Sequence, residues 1–112
     1  MNLEVVFKEL EHSDGIQKHV EERASKLDRL VAEDEHVRVV VEAKFKGQQH
    51  AAEIFWHCNL MKKDFYSKAE GHDLYTQIDE VFEKVYRQAK TEREKAIDRR
   101  RHAEAHKKMP QD

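Results

Sequence analysis

The sequence predicts an α+β domain of order β-α-β-β-β-α, a four-stranded sheet with two helices packed on one of its faces. Three observations carry this. Four segments alternate apolar and polar residues, two others repeat apolar residues at helical spacing, and each of the six has essentially one apolar face or stripe. One two-layer core, helices over one side of a sheet, buries all six.

The first strand is expected over residues 2–8, where Leu3, Val5 and Phe7 share a face. Ser13 and Asp14 then offer N-cap oxygens to a helix. Ile16, Val20, Ala24, Leu27, Leu30 and Val31 recur at its spacing, which predicts an amphipathic helix of about five turns. Residues 36–46 alternate cleanly, with Val37, Val39, Val41, Ala43 and Phe45 on one face, and Gly47 with Gln48 and Gln49 makes a turn. Residues 50–60 alternate again through Ala52, Ile54, Trp56, Cys58 and Leu60. A polar connection, Met61 to Asp64, leads to a short fourth strand with Phe65, Ser67 and Ala69 inward. Three consecutive strands joined by tight turns predict an antiparallel meander. Its outer face would carry Arg38, Lys44, Lys46, Glu53 and His57, together with the apolar Val40 and Phe55.

Gly71 ends the fourth strand and Asp73 is a candidate N-cap. Leu74, Ile78, Val81, Phe82, Val85 and Ala89 follow at helical spacing, and neither Gly nor Pro interrupts before Pro110. The second helix is therefore expected to run about 30 residues, or ~45 Å. Past Ala89 its apolar stripe thins, so its second half is expected to project. Residues 1–98 are expected to form one domain, and residues 99–112, with Arg99 to Arg101 and Lys107-Lys108, a basic, flexible tail.

A chain of 112 residues fits one domain with a modest core, and with 39% of its residues charged its surface must be densely ionic. No run of eighteen apolar residues exists, so no membrane span is expected. The N-terminus lacks the basic start and long apolar stretch of a secretory signal. The lone Cys58 can form neither an internal disulfide nor a thiolate zinc site, which suits a reducing cytoplasm.

The formal net charge of −2 argues weakly against a nucleic-acid partner, but the charge is unevenly spread. Residues 1–35 hold five basic and ten acidic side chains, whereas residues 87–108 hold nine basic and four acidic. A polyanion responds to charge within a Debye length of roughly 8–10 Å, so local excess matters more than the total. On the first helix His19, Arg23 and Lys26 fall on one edge of the apolar stripe, with Lys18 and Arg29 further round, and Glu21 and Asp28 on the opposite flank. On the second, Lys84, Arg87 and Lys90 wind across the outward face among Glu80, Glu83 and Glu94. Each set alone also reads as an ordinary solvated face with pairs such as Glu22–Lys26. Side by side, the two helices can merge their basic edges into one patch that contacts phosphates in a salt-sensitive way.

Catalysis finds no support. Neighbours in a strand point to opposite faces, so His57 and Cys58 cannot act as base and nucleophile. No glycine-rich phosphate loop exists among three glycines. His102 and His106 have the i,i+4 spacing of a metal pair but no third ligand nearby. The chain is read as a non-enzyme with no cofactor, no metal site and no small-molecule substrate.

Two stretches resemble a known family. Residues 13–30, SDGIQKHVEERASKLDRL, are similar to the first helix of the short ribosome hibernation promoting factors and the ribosome-associated inhibitor A proteins, the sigma-N modulation family. Residues 69–90, AEGHDLYTQIDEVFEKVYRQAK, resemble the family's most distinctive segment: a small-residue strand end, then Asp73-Leu74-Tyr75, then an apolar helix ending in Lys84-x-x-Arg87-Gln88. The likeness covers residues 1 to about 95. It implies the same element order, akin to double-stranded-RNA-binding domains. It also implies binding to the small ribosomal subunit in the channel of messenger RNA and transfer RNA, silencing idle ribosomes under stress or in stationary phase. In the family, basic residues of both helices contact ribosomal RNA. The matching positions are Arg23, Lys26 and Arg29, then Lys84, Arg87 and Lys90, with His19 at a position often polar. The protein is expected to be cytoplasmic, and monomeric when free. Three features depart from the pattern. The chain is too short for the additional domain with which long members dimerise ribosomes, its tail is basic where the inhibitor A type is acidic, and residues 1–35 are unusually acidic.

The leading expectation is therefore a translation-silencing ribosome binder. A generic double-stranded-RNA-binding module would show equal affinity for free duplex. A protein-interaction domain using the projecting helix would hold its partner through nuclease and high salt, though the stripe beyond Ala89 is poor for docking.

Overall fold

The structure, a computed structural model, describes residues 1–108, with side chains through Ile97. The elements are β1 (Asn2–Lys8), α1 (Asp14–Ala24), β2 (His36–Lys44), β3 (Gln49–Cys58), β4 (Lys63–Gly71) and α2 (Leu74–Lys108). The strands lie in the order β1-β2-β3-β4. β1 is parallel to β2, and α1 supplies the crossover that a parallel pair requires. β2, β3 and β4 form the antiparallel meander.

Register places the alternating residues in rows. Val5 faces Val39, Val39 faces Ile54, and Ile54 faces Ser67, all beneath the helices. Against these rows pack Ile16, Val20 and Ala24 of α1, and Leu74, Ile78, Val81, Phe82, Val85 and Ala89 of α2. Trp56, 2% exposed, stacks on Phe65 at a centroid distance of 4.9 Å. Cys58 is buried on the same face while His57 points outward, as alternation requires.

Four details differ from the sequence reading. The first helix ends at Ala24 instead of running five turns, and Ser25–Leu27 is a tighter 3₁₀ turn. The Ser25 hydroxyl donates to the Glu22 carbonyl at 2.6 Å, a local bond that competes with helix propagation. The tightened backbone still delivers both Leu27 and Val31 to the core. Second, Phe45 is 70% exposed and Lys46 belongs to a turn, because β2 stops at Lys44. Phe45, Lys46 and Gly47 all take positive φ (50°, 57° and 88°) to reverse the chain. Third, Leu60 is 91% exposed, because β3 stops at Cys58 and the turn to β4 spans residues 59–62. Fourth, α2 runs on through Lys108, into the stretch expected to form a tail. Residues 109–112 lie outside the described residues, and His102 and His106 outside the described side chains.

The turn after β3 is held by a residue that patterning did not single out. Glu35, 3% exposed, accepts hydrogen bonds from Ala32 N (2.9 Å), Trp56 Nε1 (3.2 Å) and Asn59 N (2.5 Å). Burial alone would push its carboxyl up. The donors, led by the two backbone N–H groups, outweigh this and hold it below the ordinary value of 4.5.

The outer sheet face accommodates Val40 and Phe55 within its own surface. Val40 is 5% exposed, with Val6 and Glu53 as its cross-strand neighbours. Phe55 meets the Tyr66 ring at 4.9 Å, and the Tyr66 hydroxyl donates to Glu53 at 2.7 Å. Three of the cations here are paired: Arg38 with Glu4 (3.3 Å), and Lys44 and Lys68 both with Glu70 (2.9 and 3.3 Å). Hydrogen bonds from Lys44, then Lys68, hold the Glu70 carboxyl below its usual range.

Candidate nucleic-acid interface

The helix layer is joined by one acidic residue. Asp79 of α2 places Oδ1 2.7 Å from His19 Nε2 and 2.6 Å from Arg23 Nε. The two α1 side chains are four residues apart and so lie on one edge of the helix, where a single carboxylate reaches both. The His19 ring also meets Tyr75 edge-on at 5.0 Å. Gly15 permits this approach, since a Cβ there would stand 3.0 Å from the Tyr75 hydroxyl.

Beside this clamp lies a groove of about 590 Å³ that Arg23 and Asp79 help to line. Arg23, Ser25, Lys26 and Arg29 line one side, Asp79, Glu83 and Tyr86 the other, and the buried Leu27 and Phe82 complete it. Lys26 therefore stands in the 3₁₀ turn and Arg29 just past it, not on a continuous helix.

The seven predicted residues fall into three groups. His19 and Arg23 are half-buried in the clamp, and Arg87 is bonded to Glu83 one turn back. Lys26 and Arg29 line the groove without an ion pair among the described residues, and Lys90 lies one turn beyond Tyr86 on the same side of α2. Lys84 is separate. Gln88, four residues on, donates to the Tyr66 carbonyl of β4 at 3.4 Å, so Lys84 sits on the flank turned away from α1. Arg87 lies between the two, lining a smaller cleft with Lys63, Phe65 and Gln88. The structure thus joins Arg23, Lys26 and Arg29 to α2 as one surface and leaves Lys84 off it.

Two residues of this site escaped the sequence reading. Asp79 and Tyr86 are seven apart on α2, with Phe82 between them, a row flanking the core stripe on the side where a neighbouring helix must lie. That row was legible; which helix it would meet was not. Among the described residues no group of three His, Cys, Asp or Glu side chains could hold a metal ion, and no helix is long and apolar enough to cross a membrane.

Comparison with known proteins agrees with this architecture. The fold matches the Thermus thermophilus Protein Y N-terminal domain with a TM-score of 0.69, at 27% identity over 81% of this chain and 98% of that one. A ribosomal subunit interface protein from Coxiella burnetii shares the fold with a TM-score of 0.67, at 10% identity over 81% of this chain and 96% of that one. A search of curated proteins returns no significant match. The sequence model of the sigma 54 modulation protein / S30EA ribosomal protein family matches residues 3–97. The resemblance carried by residues 13–30 and 69–90 thus extends over nearly the whole described domain, and the chain belongs to the sigma 54 modulation protein / S30EA ribosomal protein family of ribosome-associated modulation factors.

Proposed function

We propose that this protein binds the small ribosomal subunit in the cytoplasm and silences idle ribosomes by occupying the channel used by messenger RNA and transfer RNA. It acts by occupancy, with no bond made or broken. Lys26, Arg29 and Lys90 contact ribosomal RNA phosphates directly. Arg23 and Arg87 stand at the edge of the same surface with part of their hydrogen-bonding capacity spent internally, and His19 serves mainly to fix α1 on α2.

One observation carries this reading. Lys26 and Arg29 line the groove and Lys90 follows on the same side, all three unpaired among the described residues, whereas Arg38, Lys44 and Lys68 on the outer sheet face are each matched by a carboxylate. A phosphate gains most from a cation that need not first abandon a partner. The named neighbours support the ribosome as target, one being a Protein Y domain and the other a subunit interface protein.

Sucrose-gradient profiles of ribosomes with and without added protein test it, since they report binding, the subunit involved and any dimer peak. The protein should co-migrate with small subunits, and a Lys26→Glu/Arg29→Glu variant should not. Equal affinity for free duplex RNA and for small subunits would replace the reading with a generic RNA-binding module. Unchanged co-migration of both that variant and Arg87→Glu/Lys90→Glu would show that the assigned face is wrong.

A further inference from the structure

We propose that the groove between α1 and α2 receives a single unpaired nucleotide of RNA, its base against Tyr86 and its phosphate between Lys26 and Arg29. The inference rests on the reading that the helix layer meets RNA, and it assigns that layer a pocket for one nucleotide instead of a flat row of phosphate contacts.

The first reason is shape. A duplex backbone is met by cations on a convex surface, whereas here Lys26 and Arg29 stand at the rim of a concavity of about 590 Å³. That is within the few hundred to about 1,000 Å³ of small-ligand sites. Its lining is mixed, with Leu27 and Phe82 apolar at 1% and 4% exposure, and ionic groups around them. A nucleotide has the same division between an apolar ring face and a charged end.

The second reason is the aromatic. Phe55 and Tyr66 meet each other at a tilt and Tyr75 meets His19 edge-on, whereas Tyr86, 40% exposed at the groove, has no ring contact among the described residues. An unstacked aromatic beside unpaired cations is the combination with which proteins hold single-stranded bases.

The third reason is electrostatic. Two carboxylates line the groove and would repel a phosphate if left bare. Asp79 is neutralised by Arg23 and hydrogen-bonded to His19, and Glu83 is neutralised by Arg87. Lys26 and Arg29 are thereby left to set the sign at the rim.

The test uses the full chain and a short single-stranded RNA carrying 2-aminopurine, whose fluorescence falls on stacking. The wild-type protein should quench it at low salt. Tyr86→Leu should remove most of the quenching and weaken binding about tenfold, and Tyr86→Phe should restore both. Lys26→Ala/Arg29→Ala, an exposed pair whose loss leaves the core intact, should weaken binding without altering quenching at saturation. Quenching that persists in Tyr86→Leu, or that never appears at saturation, overturns the proposal. Circular dichroism melts confirm that each variant is folded. The two readings separate cleanly. If Tyr86→Leu quenches like wild type while Lys26→Glu/Arg29→Glu no longer co-migrates with small subunits, the nucleotide pocket falls and ribosome binding stands. If the quenching behaves as expected but the charge-reversed variant still co-migrates, the pocket stands and the ribosomal assignment of this face falls.

Discussion

His19 Nε2 stands 2.7 Å from Asp79 Oδ1, joining α1 to α2 across sixty residues of sequence. The same oxygen binds Arg23, so removing one carboxylate loosens two α1 side chains together. Asp79→Asn should lower stability by about 1 kcal/mol, a modest value because the carboxylate is partly open to solvent. For a domain of this size that is a fall of roughly 4 °C or more in Tm. RNA affinity should hold or rise, because the change removes negative charge from the groove and releases Arg23. Thermal melts and filter binding on the same variant check both halves; a stability loss accompanied by weaker RNA binding would assign Asp79 to the contact surface itself.

Glu35 should make the fold acid-sensitive. Its carboxyl lies below 4.5 in the folded protein, so it contributes stability that is present above that ordinary value and lost as pH falls through the folded value. Glu35→Gln keeps the shape but turns a donor toward donors, and should cost about 2 kcal/mol at neutral pH. Urea midpoints measured between about pH 6 and pH 3 should fall for the wild type and change less for the variant. Parallel curves would remove Glu35 from the acid transition.

Lys84 and Lys90 should differ although both are exposed lysines of one helix. Removing one phosphate-binding cation reduces the slope of log K against log salt by about 0.9 on duplex and about 0.7 on single strands. Lys90→Gln should show this reduction. Lys84→Gln, on the flank facing β4, should leave the slope unchanged. Equal slopes for the two variants would mean that RNA wraps around α2.

Gly47 isolates a purely backbone effect. Its φ is 88°, yet a Cβ added there would meet nothing within 4 Å. Gly47→Ala should therefore cost about 1 kcal/mol through conformation alone, with no change in RNA affinity. A neutral substitution would show that the turn relaxes to another geometry.

The strands and helices were readable because alternation and helical spacing each repeat over several residues. The pattern misled where it ended: Phe45 and Leu60 continue the alternation in sequence, but the chain has already turned. Only backbone conformation, with three successive positive φ values at residues 45–47, records that change. The site was half legible. Lys26 and Arg29 follow from charge segregation around the first helix, and Lys90 from the basic residues spaced by three along the second. The roles of Asp79 and Tyr86 depend on where α1 lies beside α2, a non-local fact set by the crossover from β1 to β2. Glu35 was invisible for a similar reason, since its donors come from residues 32, 56 and 59.

The pairing of Arg38, Lys44 and Lys68 with carboxylates on the outer sheet face bears on approach as well as on contact. A chain of formal charge −2 has no net pull toward a polyanion. Its charge is nevertheless lopsided: one side is nearly cancelled, and the other presents cations at the groove and beyond it. If the helix layer meets RNA as proposed, such a body experiences a torque in its field and turns that layer forward before touching. Collisions that would otherwise fail by misorientation become productive. The arrangement works through the encounter rate, and ionic strength governs it by shortening the distance over which the turning field is felt.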